Sequence, residues 1–259
     1  MTGHIDLNAD IGEAETDAGI AAELSILTCV SSANIACGGH RGDAASMRRT
    51  VMAAKKNDVI IGAHPSYPDR VHFGRRSYTI GVDISAQSLI DSLMEQIVTL
   101  CEIAAQCEAR VAYVKPHGAL YNDAVYSALH ADIIAGTIAQ LDSNLYLLGG
   151  PNSEMERAAM DMNLHFVREG FIDRRYTNDG HLQSRAIDGS VISDQDTRMA
   201  QARSLAVKGA VITAEGDWLD INPQSLCLHG DSEGAVTTAR LARREIEATG
   251  LNIRSFVAG

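Results

Sequence analysis

Seven short apolar runs, spaced along the whole chain and separated by longer amphipathic stretches, constrain this sequence more than any other feature. They are His4–Ala9, Ser32–Ala36, Val59–Ala63, Val111–Lys115, Leu145–Leu148, Leu164–Val167 and Ser225–Leu228. Each has the length of a buried strand. Between them the spacing turns helical. Asp43 caps a stretch whose Met47, Val51 and Ala54 share one face, and Ser85 opens a longer one carrying Leu89, Leu93, Ile97, Cys101 and Ala104. Ser193 with Asp196 has the form of a capping box, Gly209 sits where a C-cap belongs, and Asp231/Ser232 and Gly250 bracket a last helix. Strand, helix and strand in repetition imply a mostly parallel sheet, because parallel neighbours need a crossover. A closed barrel and an open doubly wound sheet both satisfy the pattern. No repeat, low-complexity tract or linker interrupts it, so the expectation is one domain over residues 1–259.

The composition removes several classes of function. Thirty-three acidic residues against 22 Lys and Arg leave a net charge of −11, a field that disfavours nucleic acid and anionic lipid as partners. The start of the chain lacks the basic and apolar regions of a secretion signal, and no window is apolar enough to span a bilayer, so a cytoplasmic location is expected. Five cysteines without C-x-x-C pairs support neither a disulfide framework nor a structural zinc site. The P-loop, dinucleotide-binding and nucleophile-elbow strings are all missing.

Polar, titratable residues stand directly after the apolar runs. Asn8-Ala9-Asp10 comes with Glu13, Gly38-Gly39-His40 with Asp43, and then come His64, Lys115-Pro116-His117, Glu169 with Arg174 and Arg175, and His229-Gly230-Asp231. In parallel α/β folds that position is the carboxyl end of the sheet, where loops build active sites. Four of the nine histidines converge there on this reading. Asp43 and Asp231 also suit helix caps. Lys115 either points into a cavity mouth or snorkels at a strand end. Arg75/Arg76 and Arg174/Arg175, in two long irregular segments, suit anion clamps as well as surface pairs. Gly38 and Gly39 suit either a backbone nest for an oxyanion or a tight turn. Cys37, beside His40, is either an activated thiol or a small buried filler. Asp10, His64, His117 and His229 are metal-ligand types without a compact zinc spacing, and no metal is assigned.

The strings Asp6-Leu-Asn-Ala-Asp10-Ile-Gly-Glu13, Asn34-Ile-Ala-Cys-Gly-Gly-His40-Arg-Gly-Asp43, Gly62-Ala-His-Pro-Ser-Tyr-Pro-Asp69 with Phe73-Gly-Arg-Arg76, Val114-Lys-Pro-His-Gly-Ala-Leu-Tyr-Asn122, Glu169-Gly-Phe-Ile-Asp-Arg-Arg-Tyr176 and Leu228-His-Gly-Asp231 together resemble the LamB/YcsF family, from residue 6 to about residue 250. The resemblance implies a seven-stranded parallel (β/α) barrel of the glycoside hydrolase/deacetylase type. It also implies ATP-dependent opening of 5-oxo-L-proline to L-glutamate by the A subunit of a 5-oxoprolinase, working with subunits B and C, and with Mg2+ accompanying the nucleotide. On that reading Asp10, His64, Lys115 and His117 are catalytic. Asn8, Glu13, Gly38, Gly39, His40, Asp43, Arg75, Arg76, Tyr121, Arg174, Arg175, His229 and Asp231 bind substrate or phosphate. Two alternatives compete with it: a metal-dependent deacetylase or amidohydrolase on the same barrel, and a non-catalytic lactam-binding subunit.

Overall fold

The computed structural model describes residues 3–229 and 234–257. All seven apolar runs form strands: β1 (His4–Ile11), β2 (Ser32–Ala36), β3 (Ile60–His64), β4 (Val111–Val114), β5 (Tyr146–Gly149), β6 (His165–Phe171) and β9 (Ser225–His229). Neighbours pair in parallel in that order, and β9 returns to pair with β1 through Asp6–Ser225 and Asp10–His229, so the sheet closes into a seven-stranded barrel. Closure removes the exposed edges that an open sheet would leave. Two elements lie outside the seven-run pattern: an antiparallel hairpin of β7 (Ala210–Ile212) and β8 (Trp218–Asp220), and a two-residue strand β10 (Asn252–Ile253) beside the start of β1.

Among the described residues eight helices connect and cover the strands: α1 (Asp17–Ile26), α2 (Ala44–Lys56), α3 (Ala86–Gln106), α4 (Gly118–Tyr126), α5 (Ala128–Leu141), α6 (Glu154–Asp161), α7 (Gln195–Lys208) and α8 (Ala235–Glu247). Asp43 caps α2 with a reciprocal Ser46 capping box, Ser85 caps α3, and Gly209 ends α7 at φ 67°. The cap of α7 is Asp194, one residue beyond the expected Ser193, because its carboxylate accepts the Thr197 amide. Asp231 and Ser232 lie outside the described residues, and α8 follows Gly234.

Alternation along β1 explains where the polar groups go. Ile5, Leu7, Ala9 and Ile11 join one hydrophobic core with helix residues such as Ile26, Val51 and Leu89. Asp6, Asn8 and Asp10 occupy the other face of the strand, fully or nearly buried, and hydrogen-bond across the barrel interior. Ser32 and Asn34 do the same on β2. A polar network thus runs through the barrel interior, beside a small apolar cluster of Tyr113, Leu148, Val167 and Val257. At its amino end Ser255 bonds Ser32 and Phe256 packs 5.2 Å from the Tyr113 ring.

Candidate functional site

A cavity of about 750 Å3 opens at the carboxyl ends of the strands. Asp10 reaches it from β1, His64 from β3, Lys115 from the end of β4, Phe171 from β6 and His229 from β9. The long segments after β3 and β6 supply Arg75 and Arg174. The loop after β1 is held by Glu23 of α1, whose carboxylate accepts the amides of Gly12, Glu13 and Ala14 and so fixes Glu13 at the rim.

Below the opening sits a closed charge network. The Lys115 ammonium lies 3.0 Å from Asp10 Oδ1, 2.9 Å from Glu169 Oε1 and 3.0 Å from Cys227 Sγ. Asn34 donates to the same Asp10 oxygen at 2.7 Å and Asn8 donates to Glu169 at 3.1 Å. Burial disfavours charge on both members of the central pair, yet their mutual attraction wins. The Asp10 carboxyl is held well below its ordinary range by His64 and Lys115, and Lys115 well above its own by Asp10, Cys227 and Glu169. Burial pushes the Cys227 thiol well up and that of Cys37 up to about 12, so both stay as thiols. An amine shared by two carboxylates has little attraction left for a ligand anion, which assigns Lys115 to positioning rather than clamping.

Three imidazoles gather beside this network. His64 Nδ1 donates to the Lys115 carbonyl at 2.7 Å, and its Nε2 lies 3.4 Å from Asp10 and 2.9 Å from His117 Nδ1. His117 Nε2 donates to the Phe73 carbonyl at 3.0 Å. His40, fully buried, stacks on His117 at 3.6 Å and contacts Glu13 Oε1 at 2.8 Å. Burial drives the pKa values of His40 and His117 well below the ordinary imidazole value. A dyad stands beside Asp10 on the neighbouring strand, where His229 Nδ1 meets Asp173 Oδ2 at 2.7 Å. Burial raises the Asp173 carboxyl, but His229 and Arg174 outweigh it and keep the group ionised. Burial also lowers Arg174 to about 10.

The structure therefore brings Asp10, Glu13, His64, Arg75, Lys115, His117, Tyr121, Arg174 and His229 to one cavity. The buried Tyr121 hydroxyl is without a hydrogen-bond partner there. Other expected residues lie elsewhere. Asn8 and His40 sit behind the lining and hold other side chains in place. The Gly38 amide is taken by the Arg41 carbonyl, and Gly39 packs so closely on Gln96 and Ser66 that a Cβ there would collide with them. Asp43 is spent on its helix cap, Arg76 pairs with Asp83 on the surface, and Arg175 is outside the lining. Asp231 falls outside the described residues. Asp173 and Asn34 were not expected as site residues, and Glu169, noted after its apolar run, was given no role; their position at or near strand ends was the available signal.

The chain is 42% identical over 254 residues to a 5-oxoprolinase A subunit of Agrobacterium fabrum, with 98% of each chain covered. It is 40% identical over 253 residues to the 5-oxoprolinase A subunit of Photorhabdus laumondii, covering 98% of this chain and 99% of that one. The crystal structure of a lactam utilization protein from Thermus thermophilus superposes with a TM-score of 0.88 at 32% identity, over 98% of this chain and all of that one. A structure from Enterococcus faecalis, 10% identical with a TM-score of 0.59 over 98% of both chains, shares the fold alone. The model of the LamB/YcsF family matches residues 5–258, and the chain belongs to that family.

Proposed function

We propose that this chain opens 5-oxo-L-proline to L-glutamate as the A component of an ATP-dependent 5-oxoprolinase, in company with subunits B and C. The observation that carries the proposal is identity of about 40% over 98% of the chain to proteins named as the 5-oxoprolinase A subunit. An unstrained lactam is a weak electrophile with a poor nitrogen leaving group, and ATP supplies the activation of its carbonyl. This chain's residues then bind the ring and deliver water. Arg174 and Arg75, both at the cavity, suit the substrate carboxylate or a phosphoryl oxygen. His229, aligned by Asp173, takes the proton from the attacking water. Asp10 is a poor choice for that step because its carboxylate is committed to Lys115 and Asn34 and held far below the ordinary range. Tyr121, with its hydroxyl at the cavity and lacking a protein partner, offers a donor to oxygen or to the departing nitrogen.

The test is glutamate release from 5-oxoproline by the purified chain, with and without ATP and the two partner subunits. Release only in the complete mixture is the expected result. Release without ATP, or none in the complete mixture, overturns the proposal. Equilibrium dialysis with ATP shows whether this chain or a partner carries the nucleotide.

A further inference from the structure

Two imidazoles at the cavity floor face each other in a way that neutral rings alone do not tolerate. A carbonyl oxygen only accepts, so His64 carries its proton on Nδ1, toward Lys115, and His117 carries its proton on Nε2, toward Phe73. The opposite nitrogens, His64 Nε2 and His117 Nδ1, then face each other at 2.9 Å, a gap that only a cation, a proton or a metal ion, can fill. Glu13 Oε1 stands 3.4 Å from His117 Nδ1 and 2.8 Å from His40 Nε2. Glu13, His64 and His117, all buried, thus each offer a ligand atom within 4.8 Å of the others. The His40 ring lies parallel to that of His117 at 3.6 Å, so the in-plane lone pairs of the two cannot meet at one ion, and His40 holds Glu13 from behind.

We propose that Glu13, His64 and His117 bind one divalent transition-metal ion in a four-coordinate site whose fourth position is left to water or substrate, with zinc the best fit. Two imidazoles and one carboxylate are donors for zinc and its neighbours, whereas magnesium and calcium prefer oxygen throughout. Tetrahedral bonds of about 2.1 Å set ligand atoms about 3.4 Å apart, close to the 2.9 Å between His64 and His117 and the 3.4 Å between His117 and Glu13. Backbone carbonyls already fix the tautomers of His64 and His117, as the outer partners of metal-bound histidines do. The other group of ligand types, Asp10, Cys227 and His229, already holds the Lys115 ammonium 3.0 Å from both Asp10 and Cys227, so a second cation is repelled there. The site is independent of the reaction proposed above and departs from the metal-free expectation of the sequence.

The experiment is calorimetric titration of the chelator-treated full chain with zinc, paired with the visible spectrum of the cobalt-loaded protein. The expected result is one equivalent of zinc and a four-coordinate cobalt spectrum without a thiolate band. Affinity falls at least ~10-fold in Glu13→Gln and at least ~100-fold in His117→Ala, in variants whose circular dichroism matches the parent. If His117→Ala fails to fold, the cobalt spectrum of the parent and the titration of Glu13→Gln decide. No uptake by the folded parent overturns the proposal, as does uptake unchanged in the folded variants. A thiolate-to-cobalt band also overturns it, since that places the ion at Cys227.

Discussion

Lys115 keeps its charge among Asp10, Glu169 and Cys227, and the proposed mechanism gives the proton-accepting step to His229, which lines the cavity against Asp173. His229→Asn is expected to lower kcat of the assembled enzyme by about 10²- to 10⁴-fold, with little change in the denaturation midpoint. Asp173→Asn is expected to produce a smaller loss with the same signature, because the ring remains but its orientation is no longer enforced. Steady-state kinetics of both variants check this. Asp6 supplies a pH prediction. Burial raises its carboxyl from 3.8 to about 6 despite hydroxyl donors on Ser31, Ser32 and Ser225. The native state therefore holds the proton more tightly than the unfolded chain, so the stabilisation is complete below about pH 4 and is lost by about pH 6. The loss amounts to about 3 kcal/mol at most, at 1.36 kcal/mol per pKa unit. Buried His40 and His117, with lowered pKa values, act in the opposite sense over the same interval, so the check is a difference: urea midpoints of the parent are expected to fall relative to those of Asp6→Asn as pH rises from about 4 to about 6. Asp10, His64, Lys115 and His117 were legible as site residues because each stands in or just after an apolar run. The roles of Glu169, Asp173 and Asn34 were not, because what makes them matter is contact with residues 24 to 161 positions away, which no local spacing records.

Elements were legible where hydrophobic period and caps agreed. In α2 the buried Met47, Val51 and Ala54 follow helical spacing behind the Asp43 cap. Asp43→Ala is expected to cost about 1 kcal/mol of stability through the lost cap and to leave turnover unchanged, since the residue lies outside the cavity. Denaturant titration and an activity assay check both halves. Other elements gave weaker signals. The strands of the β7–β8 hairpin have three residues each, too few to show alternation. Helix α4 begins directly after Pro116-His117, and His117 stands at its N-cap without a capping bond because its ring is turned toward His64 and Phe73. A residue that reads as loop punctuation is thus a helix start whose side chain serves the site.

At the scale of the molecule the order of strands and helices alone fits a barrel and an open sheet equally, and it was the family resemblance that pointed to the seven-stranded barrel. The pairing of β9 with β1 decides it, and that contact joins residues about 220 positions apart. The hairpin carrying Trp218 stands outside the barrel, with Trp218 58% exposed and stacked under Lys208. Since Trp218 is the only tryptophan of the chain, its fluorescence reports the hairpin and not the barrel. Equilibrium unfolding is expected to show the fluorescence transition at lower denaturant than far-ultraviolet circular dichroism. Coincident transitions would show that hairpin and barrel melt as one unit. The late closure has a further consequence during synthesis. A nascent chain carries Asp6, Asn8 and Asp10 from the outset but finds no partner strand for that flank until Ser225–His229 has cleared the ribosome. Until then Asp6 and Asn8 lack Ser225 and Lys115 lacks Cys227, so prematurely terminated copies lack a finished pocket and are exposed to proteolytic clearance.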